Sequence, residues 1–469
     1  MSLKASSLTW RNAWFQTHWL IGISAGVVLA IVGFTGALLS FEEEILRAVN
    51  PHVMTVGPAG RTRLTPAQLV AVASAADASR RVSNIAIAAQ PEASVRATLV
   101  EKGQGASEPG TSEPGTSGPG TSGGARRGTP LYLDPYSGSV LGTERKGEAT
   151  FHFIEDIHRR LAAGDTGKLI VGISTMLLLF IAGSGLYLRW PRIVTSLRTW
   201  FTFRWALKGR TFLWHLHAVV GTWVLLFYLL ASLTGLYWSF EWYRDGLFAI
   251  TGAPRPQGQG QGQGQRQTSA QGSASAQGSA SAQGSAPARG SAPARGSAER
   301  RSSASSRERG GQRESEAAQD EFDASDLTAA WIAFMQAAPK YDTVTITLPK
   351  SADKPIELRY LDTDSPHERA YNRMTIAGAS GAVLTHERYD DKPLGHKIMG
   401  SMFALHSGSF FGFAGLLAML VASLCMPLFA VTGWMMYLER RRRKKAARLA
   451  QAVDNEEVAG AVGIEPTTR

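Results

Sequence analysis

Four segments of this 469-residue chain are apolar for long enough to cross a lipid bilayer: Trp19 to Phe41, Leu169 to Trp190, Phe212 to Phe240 and Phe410 to Leu438. A bilayer core takes about 20 residues of helix, and inside lipid the backbone can satisfy its own polar groups only as helices or closed barrels. The expected fold class is therefore a membrane α-helical bundle of four core spans. The first segment is longer than the apolar stretch of a signal peptide and is not followed by a small-residue cleavage site, so it reads as a retained span.

Charge sets the topology. The stretch Arg189, Arg192, Arg198, Arg204, Lys208 and Arg210 contains no acid, and Arg440 to Lys445 follow the last span. Basic residues of this kind stay on the cytoplasmic side, which also puts the N-terminus, with Lys4 and Arg11, inside and sends the long segments after the first and third spans outward. The Arg-rich stretch from Arg289 to Arg313 lies outside on this reading, as long translocated regions permit. The net charge of +11 is accounted for by span ends rather than by a nucleic-acid surface. The single cysteine, Cys425, lies inside the last span, so the chain can form no internal disulfide and no C-x-x-C-H attachment; any haem is held non-covalently.

The resulting division is a cytoplasmic N-terminus (1–18), the first span (19–41), an outer segment (42–157), the second span with an outer lead-in (158–190), a basic cytoplasmic loop (191–211), the third span (212–240), a second outer region (241–405), the fourth span with its lead-in (406–438) and a basic cytoplasmic tail (439–469). Both outer regions carry Gly/Ser/Pro-rich filler, over 102–128 and 254–320, which buries too little apolar surface to order and reads as disordered. The remainder follows one order in each: a helical pattern ("LTPAQLVAVASAA"; "DLTAAWIAFMQAA"), then alternating strand-like runs and a similar turn ("PYSGSVL"; "GASGAVL"). Two small α+β domains outside the membrane are expected.

The spans repeat a spacing. His18 and Gly22 precede Thr35-Gly36 as His217 and Gly221 precede Thr234-Gly235, and a second, longer spacing joins His158 to Ser184-Gly185 and His406 to Thr432-Gly433. This is the mark of an internal two-fold repeat, span-domain-span used twice in one orientation. Topology then places His18 and His217 near the cytoplasmic interface and His158 and His406 near the outer one. Facing imidazoles in a bundle hold a metal or haem iron through neutral nitrogen, so His18, His217, His158 and His406 are the candidate cofactor and iron ligands, giving two b-type haems, one per leaflet. No catalytic side chain is assigned. The competing reading is interfacial histidines that bond headgroups or backbone. His215, two residues from His217, faces another way. His152 and His396 are alternates or substrate-side contacts, and His52, His367 and His386 are read as surface. Thr35, Ser184, Thr234 and Thr432 are read as helix-packing residues, Trp214, Trp223, Trp238 and Trp242 as an interfacial belt, and Glu42, Glu43, Glu44, Glu241 and Asp245 as solvated span ends, with possible contact to a cationic or ferric ligand.

Taken together, "HWLIG…GFTGALLSFEEEI", "IHRRLAAGDTG…GSGLYLRWPR", "LHAVVGTW…SLTGLYWSFEWYRD" and "LHSGSFFG…AVTGWMMYLERRR" resemble the PepSY-associated transmembrane family, which includes iron-regulated membrane proteins and ferric-siderophore reductases of the bacterial inner membrane. The resemblance implies PepSY-like outer domains, b-type haem held by His18, His158, His217 and His406, and reduction of an iron(III)-siderophore or other ferric chelate on the outer side. A flavin-binding domain carried by some members is not recognisable here, so quinol or a separate reductase is the implied donor. Two other classes stay open: a non-catalytic PepSY membrane protein that binds or regulates a periplasmic partner, and a transporter for the iron complex, against which the scarcity of charge midway along the spans argues.

Overall fold

The computed structural model describes residues 9–58, 60–102, 128–190, 197–255, 326–351, 354–378 and 380–461. The filler stretches fall outside these residues apart from their ends, as does Lys4.

The chain enters through α1 (Trp10–Ser24) and α2 (Gly26–Leu39), which meet at a 58° bend. Ser24 turns its hydroxyl back to the Leu20 and Ile21 carbonyls and Gly26 packs on Ala430, the combination of back-bonding and a missing side chain that bends helices. Next come α3 (Glu42–Val49), α4 (Pro51–Met54) and α5 (Pro66–Ala76), the last started by a capping box between Thr65 and Gln68. Strands β1 (Arg80–Ala88), β2 (Val95–Glu101), β3 (Thr129–Leu133) and β4 (Val140–Gly142) follow, then α6 (Glu148–Arg160), α7 (Gly164–Arg189), α8 (Leu197–Phe201), α9 (Gly209–Ser239) and α10 (Glu241–Thr251). The second outer region gives α11 (Asp326–Ala337) and strands β5 (Tyr341–Thr347), β6 (Ile356–Asp362), β7 (Asn372–Ile376) and β8 (Val383–Glu387). Short helices α12 (Leu394–Gly400) and α13 (Met402–Ser407) lead into α14 (Gly412–Ala461).

Helices α7, α9 and α14 are long and apolar enough to cross a membrane, and the bent pair α1–α2 makes a fourth if counted as one span. This is a multi-pass membrane protein. Inside α14, Pro427 lacks the N–H that would bond the Ser423 carbonyl. Gly33 of α2 lies against that carbonyl: a Cβ built there would stand 2.8 Å from it and 2.5 Å from Met426 Cβ. A missing donor on one helix and a missing side chain on the other let the two backbones close together.

The strands do not form two separate domains, as expected from the sequence, but one eight-stranded antiparallel sheet in the order β4-β3-β2-β1-β5-β6-β7-β8. The junction is β1 against β5, in register at Ile85 and Ile346. Joining the two units at this seam pairs two strand edges that would otherwise each expose unmet N–H and C=O groups. Helices α5 and α11 cover one face, and Leu69, Ala73, Leu327 and Phe334 share a single core with Ile85, Ile87, Val344, Ile346, Leu358 and Met374. The seam ties both halves of the chain together at the sheet end of the bundle, while Arg11, Lys208, Arg210, Arg440 and Arg443 gather at the opposite, basic end.

The sequence-based segment limits shift accordingly. The first helix begins at Trp10 rather than Trp19, and α14 runs on through the tail. His158 is not on a lead-in continuous with the second span: α6 ends at Arg160, and Leu161 and Ala162 take φ of 52° and 53° before α7 begins.

Candidate haem-binding centres

The four repeated histidines come together as two pairs. His18 and His217 face each other at the basic end, with ring centroids 6.5 Å apart, and His158 and His406 do so at the sheet end, at 6.2 Å. Each histidine is held by the hydroxyl-glycine pair of a neighbouring helix, not of its own. His18 Nδ1 meets Ser184 Oγ at 2.8 Å, and His217 Nδ1 meets Thr432 Oγ1 at 2.9 Å. His158 Nδ1 meets Thr35 Oγ1 at 3.2 Å, and His406 Nδ1 meets Thr234 Oγ1 at 3.0 Å.

These contacts determine where each ring carries its proton. Every one of the four hydroxyls donates to a carbonyl of its own helix: Ser184 to Ile181, Thr432 to Leu428, Thr35 to Ile31 and Thr234 to Leu230. With its one hydrogen committed, each hydroxyl can only accept from the histidine. At the sheet end the carbonyls of Val32 and Ala231 accept from the same Nδ1 atoms, at 2.9 and 3.1 Å. Nδ1 is thus the protonated nitrogen throughout, and Nε2 keeps a free lone pair. The glycine of three of the pairs clears space for the ring: a Cβ at Gly36, Gly185 or Gly235 would stand 2.9 to 3.3 Å from the Cε1 atom of His158, His18 or His406.

The basic-end pair opens onto a cavity of about 1030 Å³ lined by all the span helices. Leu29, Leu178, Leu225, Tyr228 and Met426 wall its deep end, and Arg11, Lys208, Arg210, Arg440 and Arg443 surround its mouth, with no acid in the lining. Gly22 and Gly433 border it with nothing within 4 Å of where a Cβ would be, so the cavity reaches their backbones. Trp19, stacked on Tyr437, has its Nε1 buried without a hydrogen-bond partner among the described residues.

Compared with known families, residues 15–440 match the model of the PepSY-associated TM region. The chain belongs to that family. No curated protein matches it.

Haem, the group that resemblance to the PepSY-associated family implies, fits what these residues offer. Imidazole nitrogens about 2.0–2.1 Å on either side of a metal put their ring centres about 6.4 Å apart, close to both observed separations. Anchoring Nδ1–H while leaving Nε2 bare is the arrangement that orients metal-binding histidines. A slot with an apolar interior, glycine-thinned walls and a cationic mouth suits a flat macrocycle with carboxylate edges, and Trp19 Nε1 provides a further donor without a partner.

The remaining histidines lie elsewhere. His215 is buried against Phe203 and accepts from the Arg204 backbone N–H, away from the His18 ring. His152 lies within 4.0 Å of Glu148 and Glu155, and His396 is half-buried on α12. His52 and His386 are exposed, but His367, expected at the surface, is buried. Its Nδ1 accepts from the Arg369 backbone, and its Nε2 bonds Ser401 and Tyr389, joining the end of the sheet to the helix that leads to His406. Burial holds its imidazole below the usual range. Among the acids, Glu42 is not simply solvated. Burial, then the charges of Glu43 and Glu155, push its carboxyl up to about 7, while Arg145 bonds Glu43 and Glu148 alongside.

Sequence reasoning assigned Thr35, Ser184, Thr234 and Thr432 to helix packing and gave no role to Tyr228 or Phe429. The recurrence of a hydroxyl before each span glycine at fixed distance from a histidine was the available signal for the first four.

Proposed function

We propose that this protein is a dihaem reductase of the bacterial inner membrane, with four spans built as a two-fold repeat and both termini cytoplasmic. It passes electrons across the membrane to a ferric chelate, such as an iron(III)-siderophore, in the periplasm. The observation that carries this reading is the two layers of facing histidine pairs, each ring with Nδ1 anchored and Nε2 left bare, and with ring centres 6.5 and 6.2 Å apart.

When bound, b-type haem supplies one-electron redox chemistry at each layer. The chain does the rest. His18 with His217 and His158 with His406 would hold the iron through their bare nitrogens, and the four hydroxyls hold the rings in place. Leu29, Leu178 and Met426 keep water from the deep end of the slot, and the arginines at its mouth offset carboxylate charge. The positive-inside arrangement of Arg210 and Arg440 to Lys445 sets the basic end in the cytoplasm, where quinol or a separate reductase delivers electrons. The sheet end faces the ferric chelate, and reduction weakens the grip of hard oxygen donors on iron.

The test is purification in detergent, oxidised and dithionite-reduced absorption spectra, and pyridine-haemochrome quantification of wild type, His158→Ala and His217→Ala. About two b haems per chain, with one lost in each variant, is the expected result. A haem-free wild type after adequate haem supply would sink the proposal and leave a binding or regulatory membrane protein.

A further inference from the structure

Where the sheet meets the bundle, one buried side chain joins three segments. His367, in the loop between β6 and β7, is 5% exposed, and Ser401, which separates α12 from α13, is 3% exposed. Polar groups buried this deeply take their partners from the protein, and these partners fix the state of the ring. Nδ1 accepts from the Arg369 backbone N–H at 3.1 Å, so the ring is neutral with its hydrogen on Nε2. Nε2 donates to Ser401 Oγ at 2.9 Å and lies 3.1 Å from the Tyr389 hydroxyl. Ser401 Oγ can only accept from it, because its own hydrogen goes to the Lys397 carbonyl at 2.6 Å.

An imidazolium cannot make this set of contacts. It carries hydrogen on both nitrogens, so Nδ1–H would face the Arg369 N–H, donor against donor, inside a buried site. The charged groups around the ring do not supply what it would need. Glu368, beside it in the loop, accepts from Ser409 Oγ at 2.6 Å, Arg369 lies 4.1 Å over the Phe403 ring of α13, and Lys392 and Lys397 lie 5.8 and 5.9 Å over the Tyr389 ring. Phe410 packs on the imidazole at 5.5 Å between centroids. Burial disfavours the charged ring most; Glu368 opposes this and Arg369 adds to it.

We propose that His367 is an acid-released latch between the sheet and the helix that carries His406. Neutral, it ties the β6–β7 loop to the α12–α13 junction through Ser401 and to the residues after β8 through Tyr389. On taking a proton from water at Nδ1 it gives up the Arg369 N–H, and the loop leaves the junction. The direction follows from linkage. The ring takes a proton less readily when latched than when free, where its ordinary value is 6.5, so the latched state holds above that pH and loses ground as pH falls below it. The effect reaches the sheet-end pair over a short distance: α13 has six residues, and His406 is about one and a half turns from Ser401. The latch requires no cofactor.

The test is hydrogen–deuterium exchange of the full chain in detergent from about pH 7.5 to about pH 5, each rate divided by that of an unstructured peptide at the same pH. Amides of 397–405, among them Ser401 N–H bonded to Lys397 and Leu405 N–H bonded to Ser401, should lose protection below pH 6.5, by up to about tenfold per pH unit, the limit for one proton. The β1–β5 seam at Ile85 and Ile346 should keep its protection over the same range. His367→Gln, whose amide can accept from Arg369 and donate to Ser401 without titrating, should make 397–405 indifferent to pH. Ser401→Ala, which keeps the imidazole and removes its acceptor, should move the loss to higher pH. Protection of 397–405 that is flat with pH in wild type, a loss shared equally by the seam, or a loss that persists unchanged in His367→Gln would overturn the latch. Should His367→Gln not fold, a Ser401→Ala profile identical to wild type would overturn it instead.

Discussion

Replacing Thr432 by valine keeps the shape of a buried side chain but removes the acceptor described for His217 Nδ1–H. Thr234→Val makes the same change at the sheet end, where the Ala231 carbonyl still accepts from His406 Nδ1 at 3.1 Å. The two substitutions are chemically identical and should differ in cost. A buried donor left without any acceptor costs about 1–3 kcal/mol, whereas loss of one of two acceptors costs about 0.5–1.5 kcal/mol. The first corresponds to a roughly 5- to 150-fold loss of haem affinity at the basic-end layer, in line with the about 10- to 100-fold penalties seen when the partners of metal ligands are removed. Each variant is measured with the other layer emptied, Thr432→Val in a His158→Ala background and Thr234→Val in a His18→Ala background. Timed transfer of haem to an excess of a haem-scavenging protein, followed by absorbance, gives the affinity. Thr432→Ser serves as the control that keeps the acceptor. Equal losses at the two layers, or no loss with Thr432→Val, would refute the assignment of the hydroxyls as proton acceptors that position the ligands.

Glu42 predicts a pH dependence at the sheet end. Its folded pKa of about 7 lies above the ordinary carboxylate value of 4.5, so the folded protein holds a proton that the unfolded chain has released, and this contribution to stability falls as pH rises between those values. Glu42→Gln should therefore gain in melting temperature relative to wild type between pH 5 and pH 8; a constant difference across that range would count against a raised carboxyl. Gly22→Leu, which fills open space one turn from His18, should reduce haem from about two per chain to about one by haemochrome while leaving the melting temperature of haem-free protein unchanged. Gly33→Ala places a methyl group against the Ser423 carbonyl and Met426 Cβ, and overpacking of this kind costs about 1–3 kcal/mol, readable as a lower melting temperature in detergent.

Much of this architecture was legible because its causes are local or periodic. Long apolar runs identify α7, α9 and α14 whatever surrounds them, and the repeated distance from histidine to glycine singled out the four residues that the structure brings into pairs. The single sheet was not legible. Alternation identifies β1 and β5 as strands, but whether Ile85 pairs with Ile346 or leaves an edge open depends on how two segments some 260 residues apart in sequence meet. The burial of His367 was hidden for the same reason: it follows Pro366 in a polar stretch, and the partners that enclose it, Tyr389 and Ser401, come from later in the chain. The break after α6 was missed because its cause is a pair of non-glycine residues, Leu161 and Ala162, in the left-handed region, whose side chains carry no turn signal.

The hydroxyl-glycine pairs show why a packing motif and a histidine-positioning motif are the same object in this bundle. In lipid an unmet hydroxyl is costly, so serine and threonine turn back to bond their own helix. That bond consumes the hydrogen and leaves an oxygen aimed at the neighbouring helix as an acceptor, while the adjacent glycine gives a ring room to approach it. A histidine entering that space is forced to donate from Nδ1 and to present Nε2. The four pairs interlock: α9 supplies His217 to one layer and Thr234 to the other, and the α1–α2 pair supplies His18 and Thr35 in the same way. A displacement of either helix must therefore disturb a histidine in one layer and the support of a histidine in the other, so the two layers are mechanically coupled through shared helices.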